Sequence, residues 1–504
     1  MNADYHGVIL GATKLEPGTP LFYRGLGPYR IRTAMAERGY RVKVIDFADS
    51  FSKAELECLI RMYVRPGCVF LALSSTFMTK PMIEYFLDDH LVTVARQCAG
   101  PQLQIVCGGA KATGYPHRNF DWYVSGYADE AFPALADFLT GKSTQLKFET
   151  IGGLKVIDSN KVYPVKDTSS LPTIWLKEDM IKPNEALPIE IARGCIFRCS
   201  FCAFPLNGKK KFDYIRHADS LLAEMRRNYY EFGTTNYAFM DDTYNDSEFK
   251  MEMMHKALTS LEFKVRFSTF LKPELLATWP HHNEWLAESG LLGASLGIES
   301  FNHKARRAIR KGPDIDKIIR TIENLKTVSG GRVGTATTFI AGLPDEDISS
   351  ILKTHDWLKQ NISILNQVSW HGLLIYDIDP SGYNSEIDLN PGKYGYKIID
   401  RSTNPLIWEN EHMTSILAQK IAVNLQHDIA ADGLIGGWAS VILSHFDLDV
   451  PELVRKGVRY VDALDYRLLM EQKISHMRKY YNIQMSGSAA QPTIPSTAEF
   501  LQSW

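Results

Sequence analysis

A chain of 504 residues has room for roughly three or four domains of about 150 residues each, and 45% hydrophobic with 23% charged side chains is the make-up of an ordinary globular protein. Its 56 basic and 58 acidic side chains nearly cancel, so no nucleic-acid partner is expected, and no apolar run approaches the roughly 20 residues that a membrane span needs. The opening "MNADYHGVILGATKLEPG" has neither the basic start nor the small-residue cleavage site of a signal peptide, so a cytoplasmic protein without membrane contact is expected. In that reducing compartment seven cysteines point to metal binding or chemistry and not to disulfides.

The first 140 residues alternate strands with amphipathic helices. "HGVILGA" (6–12), "RVKVIDF" (41–47), "CVFLALS" (68–74), "LQIVCGG" (103–109) and "DWYVSG" (121–126) read as strands. Helical patterns fall between them, and another closes the series at 129–141. Strict alternation predicts an α/β fold with a doubly wound parallel sheet over 1–145, and ligands in such sheets sit at the strand C-terminal ends. From 146 to 185 the pattern breaks into polar, Pro-containing pieces that read as a linker.

A second alternating series follows over 186–400. Its strands are expected at 188–194, 236–242, 265–271, 293–300, 334–344 and 368–377, with helices between them. Six βα units predict a partial (β/α)6 barrel with its chemistry at the strand C-terminal ends. The stretch 401–485 reads as a helical C-terminal extension, and 486–504, small, polar and Pro-containing, as a flexible tail.

The first strand of the second series runs into "IARGCIFRCSFCAFP" (191–205), which sets Cys195, Cys199 and Cys202 as C-x3-C-x2-C in one short loop. A structural zinc site wants a fourth protein ligand, and the nearest later candidate, His217, looks like a helix opener. A four-iron cluster usually takes four cysteines, so with three one iron keeps an open position for a cofactor or substrate. The other cysteines, Cys58, Cys68, Cys98 and Cys107, are scattered over apolar faces of the N-terminal series and read as core.

With Phe201 in the aromatic place, this loop resembles the C-x3-C-x-aromatic-C signature of the radical S-adenosylmethionine (SAM) superfamily. The resemblance implies a [4Fe–4S] cluster on Cys195, Cys199 and Cys202, with SAM on the open iron and Phe201 near the adenine. It also implies reductive cleavage of SAM to methionine and a 5′-deoxyadenosyl radical that abstracts hydrogen from substrate. Later strand ends resemble further motifs of that family. In "FMDDTYN" (239–245), where the usual form is Gly-Gly-Glu, Asp241 and Asp242 are candidates for the SAM amino group. Glu299 and Ser300 of "LGIESFN" resemble residues that reach the ribose or amino-acid portion. Ile340 and Gly342 of "TFIAGLPDE" resemble the adenine-contacting pair, a glycine letting backbone approach a planar ligand.

The N-terminal series resembles the cobalamin-binding domain that precedes this core in one large class. "GPYRIRTAMAERGYRVKVIDF" (27–47) and "IVCGGAKATGYPHRNFDWYVSGYADEAFPALADFL" (105–139) carry the likeness, but no Asp-x-His-x-x-Gly element is present. Two readings stay open: Gly108 and Gly109, with Ser74, Ser75 and Thr76, cradle cobalamin without a protein ligand on cobalt, or the domain is a relic that shapes a pocket. Three functions follow: a cobalamin-dependent methyltransferase acting on an unactivated carbon; a cobalamin-free radical SAM enzyme that rearranges, cyclises or oxidises; and a non-catalytic iron–sulfur or zinc scaffold. The expected partners are a small-molecule or peptide substrate and an electron donor such as flavodoxin or ferredoxin.

Overall fold

The computed structural model describes residues 5–459 and 475–479, apart from 13, 17–18, 21–23, 79, 110–111, 113–115, 166–167, 169–171, 205–207, 212, 313, 379–382, 431 and 447. The chain divides into two units, one built from 1–166, 172–181 and 466–504 and the other from 167–171 and 182–465.

In the first unit the five expected strands form as β1 (Gly7–Leu10), β2 (Val42–Ile45), β3 (Phe70–Ser74), β4 (Gln104–Gly109) and β5 (Trp122–Ser125). They pair in parallel in the order β2-β1-β3-β4-β5. Period-two alternation splits their side chains between two cores. Val8, Leu10, Leu71, Leu73, Ile105 and Cys107 pack beneath Leu59 of helix Lys53–Tyr63 and Leu91 of helix Asp89–Ala99. Ile9, Phe70, Ala72 and Val106 pack with Met35 of helix Leu26–Glu37 and Phe132 of helix Ala131–Leu139. With helices on both faces, the sheet is doubly wound as expected.

The stretch expected as a linker does more than connect. Its short apolar run forms β7 (Leu154–Asp158), which adds in parallel to β5, and β6 (Glu149–Ile151) folds back antiparallel along the edge, giving seven strands. Farther on, Asp179 takes both arms of the Arg32 guanidinium at 2.6 Å, and Trp175 packs on Tyr29 with ring centroids 4.4 Å apart. One isolated tryptophan and one aspartate in a polar stretch thus tie it to the first unit, a pairing that no local pattern announces.

The expected C-terminal helical extension also differs. It follows an antiparallel hairpin, Lys397–Asp400 with Ile407–Glu409, and contains helices Ser415–Ala430, Trp438–Ile442 and Val450–Arg455. The tail at 486–504, and 460–474 and 480–485 of the expected helical extension, lie outside the described residues. Residues 475–479, however, belong to the first unit: Met477 enters its core, and Arg478 Nε lies 2.5 Å from Glu55 Oε1.

In the second unit the six expected strands are β8 (Leu187–Glu190), β9 (Asn236–Met240), β10 (Arg266–Leu271), β11 (Leu291–Glu299), β12 (Gly334–Ala341) and β13 (Gln367–Gly372). They run in parallel in sequence order, an open six-stranded barrel wall. Ser247, Asp314 and Asp347 cap the helices that follow by accepting backbone N–H groups, and Gly233 ends helix Ala218–Phe232 at a φ of 71°.

The N-terminal end of this wall is plugged by 434–442. Gly437 N–H donates to Gly334 O at 2.9 Å, and Ser268 Oγ donates to Gly437 O at 3.1 Å. Such backbone-to-backbone approach needs glycine on both sides: a Cβ on Gly293 would lie 1.9 Å from Gly437 O, and one on Gly436 2.1 Å from Thr335 O. The opposite, C-terminal end is left for the chemistry.

Gly437 combines a φ of 53° with a Cβ position only 2.5 Å from Ala336 Cβ, whereas Gly395, at φ 80°, has nothing within 4 Å. Gly437→Ala should therefore cost strain plus collision, about 3 kcal/mol or more, and Gly395→Ala strain alone, about 1 kcal/mol. Denaturant unfolding of the two variants side by side checks the difference.

Candidate active site

The cysteine loop leaves β8 through Ile191–Gly194, and its return is stitched by Arg193 N–H to Tyr214 O at 2.9 Å and Arg216 N–H to Ile191 O at 2.9 Å. Gly208 N–H donates to Cys195 O at 2.7 Å, and Cys202 N–H to Cys199 O at 3.1 Å, which folds the loop into a compact turn. From outside, Ser200 Oγ donates to Ala308 O at 3.0 Å, and Ile387 N–H donates to Ser200 O at 3.0 Å. The three thiols are thereby held on a loop fixed at several points by hydrogen bonds.

Cys195 is buried and Cys199 and Cys202 are partly open. Burial pushes the Cys195 thiol up to about 11, so a thiolate there needs a cationic centre to hold it. Two neighbours are already turned towards its sulfur: Phe197 N–H at 3.4 Å and Thr243 Oγ1 at 3.3 Å. Three cysteines in one loop, with every other cysteine of the chain in the first unit, fit a cluster that leaves one iron free of protein.

Beneath this loop lies the turn after β9. Lys250, fully buried, reaches Asp241 Oδ2 at 2.9 Å, Asp246 Oδ2 at 3.1 Å and Thr243 O at 2.9 Å, while Tyr214 OH donates to Asp246 Oδ2 at 2.6 Å. Burial alone would drive the Lys250 proton off, but the two carboxylates hold it above the ordinary lysine range. Asp241, expected to face the SAM amino group, is thus committed to Lys250. Asp242 differs: burial, with the Asp241 charge next to it, pushes its carboxyl up to about 6.

The other strand ends complete the mouth. A register shift between Gly297 and Glu299 sets Glu299 at a φ of 71°. Buried there, Glu299 accepts a hydrogen bond from Thr338 Oγ1 at 3.1 Å and lies 3.7 Å from Lys311 Nζ. The nearby Arg306 turns instead to Glu274, at 2.8 Å. Ser300 is engaged with the buried Glu346 and accepts from Asn302 N–H at 2.9 Å. Ile340, half-buried, shares the face of β12 that carries Thr338. Gly342 already has a planar neighbour, since a Cβ there would lie 2.7 Å from the Trp408 ring and 3.0 Å from Ala418 Cβ. The conformational freedom read as room for adenine is used, on that side, by the chain's own indole.

The sequence reading stopped one residue short of Lys272, which follows β10. Its side chain is almost buried, its Nζ has no hydrogen-bond partner, and it lies 4.8 Å above the Phe197 ring in the cysteine loop. Burial and the charge of Lys311 make its proton easier to lose than an ordinary lysine's. The aromatic of the loop that meets this cation is Phe197, whereas Phe201 is half-buried elsewhere in the loop. A lysine wedged between an apolar strand and Pro273 was the available signal.

In the first unit the order β2-β1-β3 places the switch point between β1 and β3, one strand away from Gly108 and Gly109. Gly11, Gly27 and Ser74 flank that point, and a Cβ on Gly27 would have only Ser74 Oγ near it, at 3.8 Å. Among the described residues, a Cβ on Gly108 would meet the carbonyl oxygens of Leu73 and Val124 at ordinary contact distances of 3.8 and 4.0 Å, so a side chain there would collide with neither. Gly109 is small for an internal reason: its Cβ would come 2.7 Å from Ser75 Oγ. Of the four cysteines read as core, Cys68 and Cys107 are buried, Cys98 is half-buried and Cys58 is exposed.

Residues 189–358 match the family model of the Radical SAM superfamily. No curated protein matches the chain. Among solved structures, the radical SAM methyltransferase TsrM from Kitasatospora setae, with cobalamin and a [4Fe–4S] cluster bound, aligns over 78% of this chain and 79% of its own, with a TM-score of 0.56 and 14% identity. The same enzyme with tryptophan substrate and a SAM analogue aligns over 77% of both chains at 0.57 and 14% identity. The cobalamin-dependent SAM radical enzyme OxsB, with aqua-cobalamin bound, aligns over 77% of this chain and 56% of its own at 0.55 and 14% identity. At that identity the likeness is one of fold.

Two outcomes follow from the buried charges. Asp241→Asn leaves Lys250 with Asp246 alone and should cost on the order of 3 kcal/mol, while Asp242→Asn, removing a charge the site disfavours, should cost nothing above pH 6. Denaturant midpoints of the metal-free proteins separate them. Glu346 is the second case: burial, with Asp347 nearby, pushes its carboxyl from 4.5 up to about 8. The unfolded chain therefore loses this proton first, and the contribution to stability present below about pH 4.5 is lost as pH rises through 8. Glu346→Gln should gain on the wild type by up to about 1.4 kcal/mol per pH unit across that window and level off above it, in unfolding measured from pH 5 to 9.

Proposed function

We propose, for a chain whose residues 189–358 place it in the radical SAM superfamily, that it is a cobalamin-dependent methyltransferase acting on an unactivated carbon of a small molecule or peptide. The observation that carries the radical part is the loop of Cys195, Cys199 and Cys202, fixed by backbone hydrogen bonds, with the mostly buried Lys272, whose Nζ has no hydrogen-bond partner, beside it. Those cysteines would hold the [4Fe–4S] cluster. When bound, cluster and SAM supply a one-electron cleavage of SAM to methionine and a carbon radical able to take hydrogen from substrate.

What the chain's own residues contribute is charge placement. SAM carries a carboxylate, an ammonium and a sulfonium. Lys272 would take the carboxylate, because an ammonium with no hydrogen-bond partner away from water gains most from an anion. Asp242 and Glu299, carboxyls kept reluctant to ionise by burial, would receive the positive groups, whose arrival favours their charged form. The Gly342 backbone and Ile340 border the same mouth, and Phe201 lies in the cysteine loop itself. The electron has no second iron–sulfur centre to come from in this unit's cysteines, so a donor such as flavodoxin or ferredoxin would supply it.

The methyl-transfer part rests on the first unit. Its strand ends offer backbone and hydroxyl groups at Gly11, Ser74 and Gly108, with Gly27 at the start of helix Leu26–Glu37 and no imidazole from an Asp-x-His-x-x-Gly element. Those residues fit a cobalamin held without a protein ligand on cobalt. The packing of Gly109 onto Ser75 favours the second reading, a cobalamin-free radical SAM enzyme, because there a small residue is needed by the protein's own turn.

Reconstituted anaerobically with iron and sulfide and then reduced, the protein should release 5′-deoxyadenosine slowly from SAM. Cys199→Ala should lose cluster and release together, and Lys272→Met should keep the iron but bind SAM at least about tenfold more weakly, since a charge-assisted contact is worth about 1.5–3 kcal/mol. An intact cluster that neither binds nor cleaves SAM would favour the scaffold. Protein given excess cobalamin should retain it, base-off, through desalting; none retained leaves the cobalamin-free enzyme as the better account.

A further inference from the structure

Two helices of the second unit bring together three side chains to which no part in the radical chemistry has been given. Glu248 opens helix Glu248–Thr259, and His281 and His282 open helix His282–Glu288. One ligand atom from each lies within 4.8 Å of the others. His281 Nε2 is 3.3 Å from Glu248 Oε1. Zinc bonds of about 2.0–2.1 Å in a tetrahedron hold neighbouring ligand atoms about 3.3 Å apart, so this pair already spans one edge of a site.

His282 is the independent sign. Its side chain is fully buried, yet neither ring nitrogen has a hydrogen-bond partner. It is wedged between Trp279 and Trp285, each with a ring centroid 5.3 Å away, which fixes the imidazole plane without satisfying its polar edge. A buried histidine kept only for packing would be cheaper as phenylalanine, because both nitrogens give up water for nothing.

We propose that Glu248, His281 and His282 form a zinc site that clips the start of one outer helix to the start of another, with its fourth position open to water. Two imidazole nitrogens and one carboxylate are a borderline-soft ligand set that suits zinc better than magnesium or calcium. The carboxylate balances half the ion's charge, which offsets the unfavourable positive end of the two helices. The ion takes over the bond that Glu248 now makes with His281 and gives His282 the partner it lacks. Trp285 also stacks on His255, 5.5 Å away, and His255 Nε2 lies 3.4 Å from Glu288 Oε2, so the surrounding shell is aromatic and lightly charged.

The test uses the full chain with its cluster already reconstituted, so that iron occupies the cysteines, and equilibrium dialysis against zinc chloride at buffered free zinc. Elemental analysis should find one zinc per chain beyond the cluster iron. Glu248→Gln and His281→Ala, both at exposed positions that do not threaten folding, should each weaken zinc binding by more than the about 10–100-fold typical of losing an outer-shell partner, with iron content unchanged. His282→Gln should do the same. Wild-type holoprotein that takes up no zinc, or zinc uptake equal in Glu248→Gln, His281→Ala and wild type, would overturn the site.

Discussion

The buried ammonium of Lys250 is the constraint on which the rest of the second unit's site depends. It cannot remain charged in the interior unless Asp241 and Asp246 stay with it, and they cannot stay unless the turn after β9 keeps its shape. That turn presents Thr243 to Cys195 Sγ and Asp242 to the mouth, while Tyr214, hydrogen-bonded to Asp246, fixes the strand-like return of the cysteine loop. One lysine thus couples helix Glu248–Thr259, the end of β9 and the loop that would carry iron. The ligand loop is supported by charge pairing in the turn beneath it.

Glycine serves two purposes in this molecule, and only the surroundings tell them apart. At Gly293, Gly436 and Gly437 it lets a plug touch the backbone of the barrel strands, closing the N-terminal end. At Gly342 it makes room for Trp408, whose Nε1–H donates to Leu373 O at 3.1 Å. At Gly108, by contrast, a Cβ would meet the described residues only at ordinary contact distance, 3.8 Å from Leu73 O and 4.0 Å from Val124 O. A glycine with a protein atom in its Cβ position is explained by packing; one facing space is free to meet a ligand.

Charge at the mouth is arranged with the same economy. Lys311 and Glu299, Arg306 and Glu274 neutralise one another in pairs, each partner compensating the other's burial. Lys272 is left with Glu274 at 3.8 Å and no hydrogen bond, on the side of the cysteines. The surplus is positive where three thiolates would gather, which favours both the thiolates and an anionic group brought beside them.

By itself, the sequence determined both alternating series, the order of their strands and the cysteine loop at a strand end, because period-two apolar runs, cap residues and a C-x3-C-x2-C spacing are local signals that solvent and backbone geometry enforce wherever the chain goes. The candidates at strand ends were legible as positions for the same reason. What each side chain does there was decided by partners far along the chain: Lys250 for Asp241, Lys311 and Thr338 for Glu299, Glu346 for Ser300, Trp408 for Gly342. The tertiary structure likewise moved the pieces of the expected linker into the first sheet and brought Met477 and Arg478 back to helix Lys53–Tyr63. Burial and charge pairing between residues distant in sequence carry no local period, so only the packed chain fixes them.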